Sequence, residues 1–290
     1  MANARWTCMF KAALAFVLTM TVSSAQAVDP EYPDWRGAWI RFVDRSLGGQ
    51  PSFDQTKPWG LGQQAPLTPE YRKILEDSIA DQANGGQGNW IEHAKCHPAG
   101  MPFMMVASSP MEIVVTPETT YVLVGGSTDH LRRIFTDGRD WPENIEPAYS
   151  GYSIGKWIDE NGDGRYDLLE VETRGPFRGH RAYDGTGLPL HFDNQSIFKE
   201  RIQLDKANPN VLHDEITVID HALTRPWTVD KRYRRDPNPQ PHWRENSCPV
   251  TTSFVFIENE VYTLSADGKL MPVRKNQPPP DLKYFNQTQR

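Results

Sequence analysis

The sequence predicts an all-β fold: an antiparallel β-barrel with one short N-terminal helix. Three observations carry this expectation. Short strand-like runs recur from residue 111 to residue 264, several alternating apolar and polar side chains with period two. Only one stretch, early in the chain, has helical spacing. The 290 residues include 21 Gly and 24 Pro, which favour turns over long helices. Recurring strands with a single early helix fit an antiparallel architecture better than a parallel α/β one.

The elements follow in order. Arg5 and Lys11, the apolar run Ala12 to Met20 and the small-x-small pattern Ala25-Gln26-Ala27 read as a secretory signal peptide over residues 1–27, cleaved before Val28. The apolar run is too short to cross a bilayer. A periplasmic or secreted location is expected, with no membrane span after cleavage. Gly37-Ala38-Trp39-Ile40-Arg41-Phe42-Val43 reads as a first strand, followed by a Gly/Pro/Gln loop from Ser46 to Pro66. Thr68-Pro69-Glu70 is a helix start, with Thr as cap and Pro in the first turn. Tyr71, Ile74, Leu75 and Ile79 continue it, and Asn84-Gly85-Gly86 ends it.

Strands are then expected at Met111–Val115, Thr120–Val124, Leu131–Thr136, Tyr152–Ile158, Leu168–Arg174, Ile197–Leu204, Val211–Ile219, Thr228–Arg234 and Phe254–Leu264. No composition break divides residues 28–274, which are read as a single barrel domain. Residues 275–290, with Pro278-Pro279-Pro280, are read as a loose tail. In Leu212–His221 one face carries Leu212, Ile216 and Val218 with Asp214 and Asp220 among them. Glu200 shares a face with Phe198, Ile202 and Leu204. A carboxylate there is costly unless paired, so it meets an arginine or a wet cavity.

Charge excludes some functions. The chain carries 31 Lys and Arg against 37 Asp and Glu, net −6, and loss of the leader with Arg5 and Lys11 makes the balance −8. An acidic surface without a basic block argues against nucleic acid and anionic membranes. Arg232, Arg234 and Arg235 are flanked by Asp230 and Asp236. Outside the leader the cysteines are Cys96 and Cys248. In an oxidising compartment this even, distant pair reads as a disulfide, contributing about 4–5 kcal/mol by loop closure. Metal binding beside His97 is the alternative.

Three constellations could carry chemistry. Residues Asp159 to Glu170 fit the calcium-loop pattern D-x-[DN]-x-[DN]-G-x5-E at every specified position. Asp159, Asn161, Asp163, Asp167 and Glu170 offer side-chain oxygens, and Arg165 offers its carbonyl. Strand-like flanks place the loop on a β-hairpin, where calcium would be structural. An Asn/Gly/Asp-rich turn without metal is the plain alternative. Second, His180, His191, His213 and His221 interleave with Asp193, Asp214 and Asp220. The pair His191-x-Asp193 opens a strand after a Gly/Pro loop and is the preferred acid–base pair. Third, the turn at Asp137-Gly138 aims Arg139 outward, where it could clamp a carboxylate or pair with a neighbouring acid. No GxSxG elbow, Walker loop or Rossmann glycine pattern is present.

Several stretches resemble successive blocks of a large family of uncharacterised exported bacterial proteins. They are Arg132-Arg133-Ile134-Phe135-Thr136-Asp137-Gly138-Arg139, Gly151-Tyr152-Ser153-Ile154-Gly155-Lys156-Trp157, and Leu169-Glu170-Val171-Glu172-Thr173. Glu200-Arg201, Ile219-Asp220-His221 to Arg225-Pro226-Trp227-Thr228, and Cys96-His97-Pro98-Ala99-Gly100-Met101-Pro102 match further blocks. The resemblance spans roughly residues 35–250 and implies a secreted β-barrel-like domain, not a reaction. Typical members have a short hairpin in place of Asp159–Glu170, and the segment His191–Gln195 departs from a small, Ser-containing block. Gly37-Ala38-Trp39 is similar to the Gly-x-Trp start of lipocalins, whose Trp plugs one barrel end.

Three functions are therefore expected in order. The first is an exported barrel that binds a small organic ligand, aromatic ones included, in its cavity. The second is a lyase, hydrolase or isomerase on the same scaffold using His191, Asp193 and Arg139. The third is a structural or interaction module stabilised by calcium.

Overall fold

The computed structural model describes residues 31–41, 65–84, 98, 100–106, 110–125, 130–178, 182–183, 189–191, 195–243, 254–257, 260–264 and 270–272. In chain order the elements are β1 (Ala38–Arg41), α1 (Pro69–Ala83), α2 (Phe103–Val106), β2 (Met111–Val115), β3 (Thr119–Val124), β4 (His130–Phe135) and β5 (Tyr152–Ile158). Then come β6 (Leu168–Arg174), β7 (Ala182–Tyr183), β8 (Pro189–His191), β9 (Ile197–Leu204), β10 (Val211–Ile219), β11 (Trp227–Arg235), β12 (Phe254–Ile257), β13 (Glu260–Leu264) and β14 (Leu270–Pro272).

Nine strands close a barrel in the order β1-β11-β10-β9-β6-β5-β4-β3-β2. Closure depends on β1, which pairs with β11 through Trp39↔Arg235 and with β2 through Trp39↔Met111. All pairings are antiparallel except one. Strands β4 and β5 run parallel, through Ile134↔Ser153 and Phe135↔Ile154. A parallel neighbour cannot follow a tight hairpin, so residues 136–151 loop back until the start of β5 lies beside the last residues of β4. Gly151, at φ +67°, turns it into β5. This departs from the wholly antiparallel up-and-down barrel of lipocalins.

Period-two alternation shows in burial. In β10, Leu212, Asp214, Ile216 and Val218 are buried while Glu215 is exposed. Strands β2, β5, β6, β9 and β10 have the bounds that the sequence pattern predicts. The helix begins at Pro69 under the Thr68 hydroxyl, which accepts the Tyr71 N–H at 3.4 Å. The expected run Phe254–Leu264 is two strands, which with β14 form a separate three-stranded sheet.

One barrel end is closed by aromatic rings. Trp39 is wholly buried and donates its indole N–H to the Trp35 carbonyl at 2.9 Å. Trp157 meets Trp35 and Tyr32 at centroid distances of 4.9 and 5.4 Å. Arg235 lies 4.4 Å over Trp39 and donates to the carbonyls of Asp34 and Arg36. At the opposite end the chain before α1 is tied to the β10–β11 turn: Thr68 N–H donates to the Ala222 carbonyl, and Thr224 N–H to that of Pro66. There α2 packs Met104 and Met105 inward, and the Tyr233 hydroxyl donates to the Met105 carbonyl.

Candidate functional site in the barrel interior

Register places an unusual set of polar side chains on the inner wall. On β4, His130, Arg132 and Ile134 share the inward face. Ser153 on β5 and Thr173 on β6 are directly paired, and Glu200 on β9 pairs with Val171. Arg132 donates from Nε to Ser153 Oγ at 3.1 Å, from Nη1 to Glu200 Oε1 at 2.8 Å, and from Nη2 to Thr173 Oγ1 at 2.8 Å and to Glu200 Oε2. The two hydroxyls also bond each other at 2.8 Å. Arg132 and Glu200 are both 0 % exposed at the side chain. A guanidinium withdrawn from water needs such a fork of acceptors to offset its desolvation.

One strand further round, Asp214 is also 0 % exposed, and neither carboxyl oxygen has a hydrogen-bond partner among the described residues. Its register partners Ile202 and Lys231 sit on the same face. Burial first, and then the Glu200 charge, push its pKa well above the carboxylate range, against a smaller pull from Arg132. A protonated Asp214 has an O–H to donate and a carbonyl to offer. Tyr233 is a neutral phenol for the same reason: burial and then the Asp214 charge raise it.

His130 Nε2 is buried without a partner among the described residues, and burial followed by the Arg132 charge lowers its pKa to about 4. Thr120 Oγ1 and the indole nitrogens of Trp157 and Trp227 are likewise buried without partners among those residues. Arg41, half-buried at the end of β1, shares its face with its register partner Tyr233. Among the described residues no carboxylate pairs with Arg41, and burial lowers its pKa from the usual arginine value.

The residues singled out in the sequence fall elsewhere or beyond view. His191 ends β8, which pairs with β7, but its side chain and Asp193 lie outside the described residues. So do Cys96 and Cys248, His180, residues 1–27 and residues 275–290. Arg139 is on the outer wall, where it pairs with Asp137 at 2.6 Å and stacks 3.9 Å over Phe135 beside Tyr152. The ion pair is local, because the Asp-Gly turn folds Asp137 back onto Arg139. His213 lies between Asp230 and Asp205, with ring nitrogens 3.0 and 3.2 Å from their carboxylates. His221 meets the Tyr71 hydroxyl at 2.9 Å.

The acidic loop is a hairpin loop between β5 and β6, as expected. Asp159 accepts the N–H groups of Gly162, Asp163 and Gly164, Asn161 accepts that of Asp163, and Asp163 accepts that of Arg165. Asp167 accepts the Glu160 N–H at 3.0 Å. Glu170 departs from the expected ligand set. It lies within β6 opposite Arg201 of β9, and its carboxylate pairs with that guanidinium. Among the described residues no three His, Cys, Asp or Glu side chains converge as metal ligands.

An open groove of about 450 Å³ runs along the outer wall of β5, β6, β9 and β10. Its charges answer one another, Glu170 with Arg201 and Glu172 with Lys199 at 3.4 Å, as on a solvated ionic face.

Sequence reasoning gave Glu200 an arginine but not its identity. Arg201, the near neighbour, points to the opposite face, while Arg132 is 68 positions away in sequence. Asp214 was visible as a carboxylate on the apolar side of β10. The stretches around Arg132, Ser153, Thr173 and Glu200, singled out for their resemblance to exported proteins, meet at one buried point. Comparison with family models, with curated proteins and with solved structures finds no match to this chain.

Proposed function

We propose that this protein is an exported binding protein that holds a small organic molecule in its barrel interior. The observation that carries this reading is Asp214, fully buried with two carboxyl oxygens that find no partner among the described residues. An unpartnered buried polar group costs about 1–3 kcal/mol, which a fold selected for stability alone would not retain. Unpartnered donors on Trp157 and Trp227, the ring nitrogen of His130 and the Thr120 hydroxyl add to the polar atoms on offer around apolar walls. That mixture of apolar lining and a few polar groups is the chemistry of small-molecule sites.

The test is Asp214→Leu. Stability should rise, because a buried unsatisfied group is replaced by an apolar one of similar size. Binding of small organic probes, followed by quenching of tryptophan fluorescence, should weaken at the same time. A variant that loses stability and leaves probe binding intact would refute the reading.

We also propose calcium as a stabilising ion for the β5–β6 loop, through Asp159, Asn161, Asp163 and the Arg165 carbonyl. The single bend that gathers these residues around backbone N–H groups supports it. Glu170 joins only if it releases Arg201. Loss of the ion on chelation should lower the melting temperature.

A further inference from the structure

Resting on the interior-binding reading, we propose that the ligand carries a carboxylate, and that Arg41 is the cation that receives it. The argument is a charge balance on the inner wall. Arg132 is cancelled by Glu200 in a closed pair with both side chains 0 % exposed. His130 is neutral, its pKa lowered to about 4 by burial and then by Arg132. Burial and the Glu200 charge displace Asp214 upward, disfavouring a negative charge there. Lys231 shares the inner face with Asp214 and is itself engaged. Arg41 then stands half-buried beside Tyr233 with no carboxylate paired to it among the described residues. A partly desolvated guanidinium is stabilised by a carboxylate in bidentate contact.

The neighbours of Arg41 suit the same ligand. Tyr233 directs its hydroxyl to the Met105 carbonyl, so its oxygen keeps acceptor capacity for Arg41 or for a ligand donor. A protonated Asp214 supplies an O–H donor without the repulsion an ionised carboxylate would bring. The Trp227 indole N–H is a further donor on the inner wall without a partner among the described residues. An amine or other cationic ligand would meet Arg41 as a like charge. A neutral ligand would leave Arg41 uncompensated.

The experiment uses the full mature chain and matched probes: benzoate with benzamide, hexanoate with hexanamide, and indole-3-acetate with indole-3-acetamide. Binding is read by calorimetry and by tryptophan fluorescence at fixed pH and ionic strength. At least one carboxylate should bind about tenfold or more tightly than its amide, equivalent to roughly 1.4 kcal/mol. Arg41→Gln should erase that preference by weakening the acid to the level of its amide, with a melting temperature at or above that of the parent. Amides that bind as tightly as their acids in every pair that binds, or a preference that survives Arg41→Gln, would overturn the carboxylate assignment alone.

Asp214→Leu separates the two levels of the argument, since it should weaken acid and amide together. If it weakens neither, the interior site is wrong even where Arg41 governs an anion preference. If no pair binds up to its solubility limit, both proposals fall.

Discussion

Removing Glu200 should be among the most damaging single changes in the barrel. Glu200→Ala deletes both carboxylate oxygens that Arg132 engages and leaves the guanidinium 0 % exposed, with only the Ser153 and Thr173 hydroxyls as acceptors. Breaking a buried pair from one side costs about 3–5 kcal/mol, because the surviving charge is stranded. For a chain of this size each kcal/mol lowers the melting temperature by roughly 2–4 °C, so a fall of about 10 °C is expected.

The double variant Arg132→Met/Glu200→Leu removes the stranded charge. The Ser153 and Thr173 hydroxyls can still bond each other, as they do already at 2.8 Å. It should recover most of the loss and lie within about 1–2 kcal/mol of the parent, since apolar replacements of buried pairs are often neutral. Equilibrium urea unfolding measures both variants, with the midpoint moving and the slope unchanged. A Glu200→Ala loss below about 1 kcal/mol, or a double variant as unstable as the sum of its singles, would refute the desolvation argument.

Three further outcomes are expected. The Asp230 hydrogen bond, opposed by burial and aided by Asp205, raises the His213 pKa above 6.5. Its stabilisation is therefore complete below that value and lost as pH rises through the raised one. Urea midpoints should fall across that window in the parent and stay flatter in His213→Gln, and parallel slopes would discard the idea. Gly151→Ala puts a Cβ 2.4 Å from Phe177 Cε1 and 2.7 Å from the Arg174 carbonyl at φ +67°, costing about 2–4 kcal/mol. Gly138→Ala, at φ +77° with nothing within 4 Å, should cost about 1 kcal/mol, so equal thermal shifts would contradict the steric account. Chelation with EGTA should lower the melting temperature of the parent but not of Asp159→Ala/Asp163→Ala, and an insensitive parent would remove calcium from the loop.

The barrel was legible because each strand carries its own local record. Alternation in Val211–Ile219 fixes which side chains face inward, and burial follows it. The helix start at Thr68-Pro69 was equally local. The parallel β4–β5 contact was not, because no pattern within residues 136–151 says which strand the chain returns beside. The interior cluster was half visible. Period two put Glu200 and Asp214 on apolar faces, but which arginine crosses to meet Glu200 depends on closure of the sheet. Arg139 shows the converse: a turn that displays a guanidinium also supplies it with its own acid, Asp137.

Strand β1 is the latch of the whole cylinder. It has four residues, and it alone joins β2 to β11. Its partner Arg235 lies almost two hundred positions downstream, so the ring cannot shut until β11 has been made and delivered across the membrane, if the chain is exported. Until then β2 and β11 present open edges, the kind of surface that another strand can occupy. A chaperone, or the same strand from a second molecule, could stand in for the latch during that interval. Cutting the polypeptide just after Arg41 in the finished protein would leave the latch held by a handful of backbone bonds and by Arg235 stacked on Trp39. Barrel opening would then become a strand-release event, which a synthetic peptide of residues 31–41 could compete with and slow.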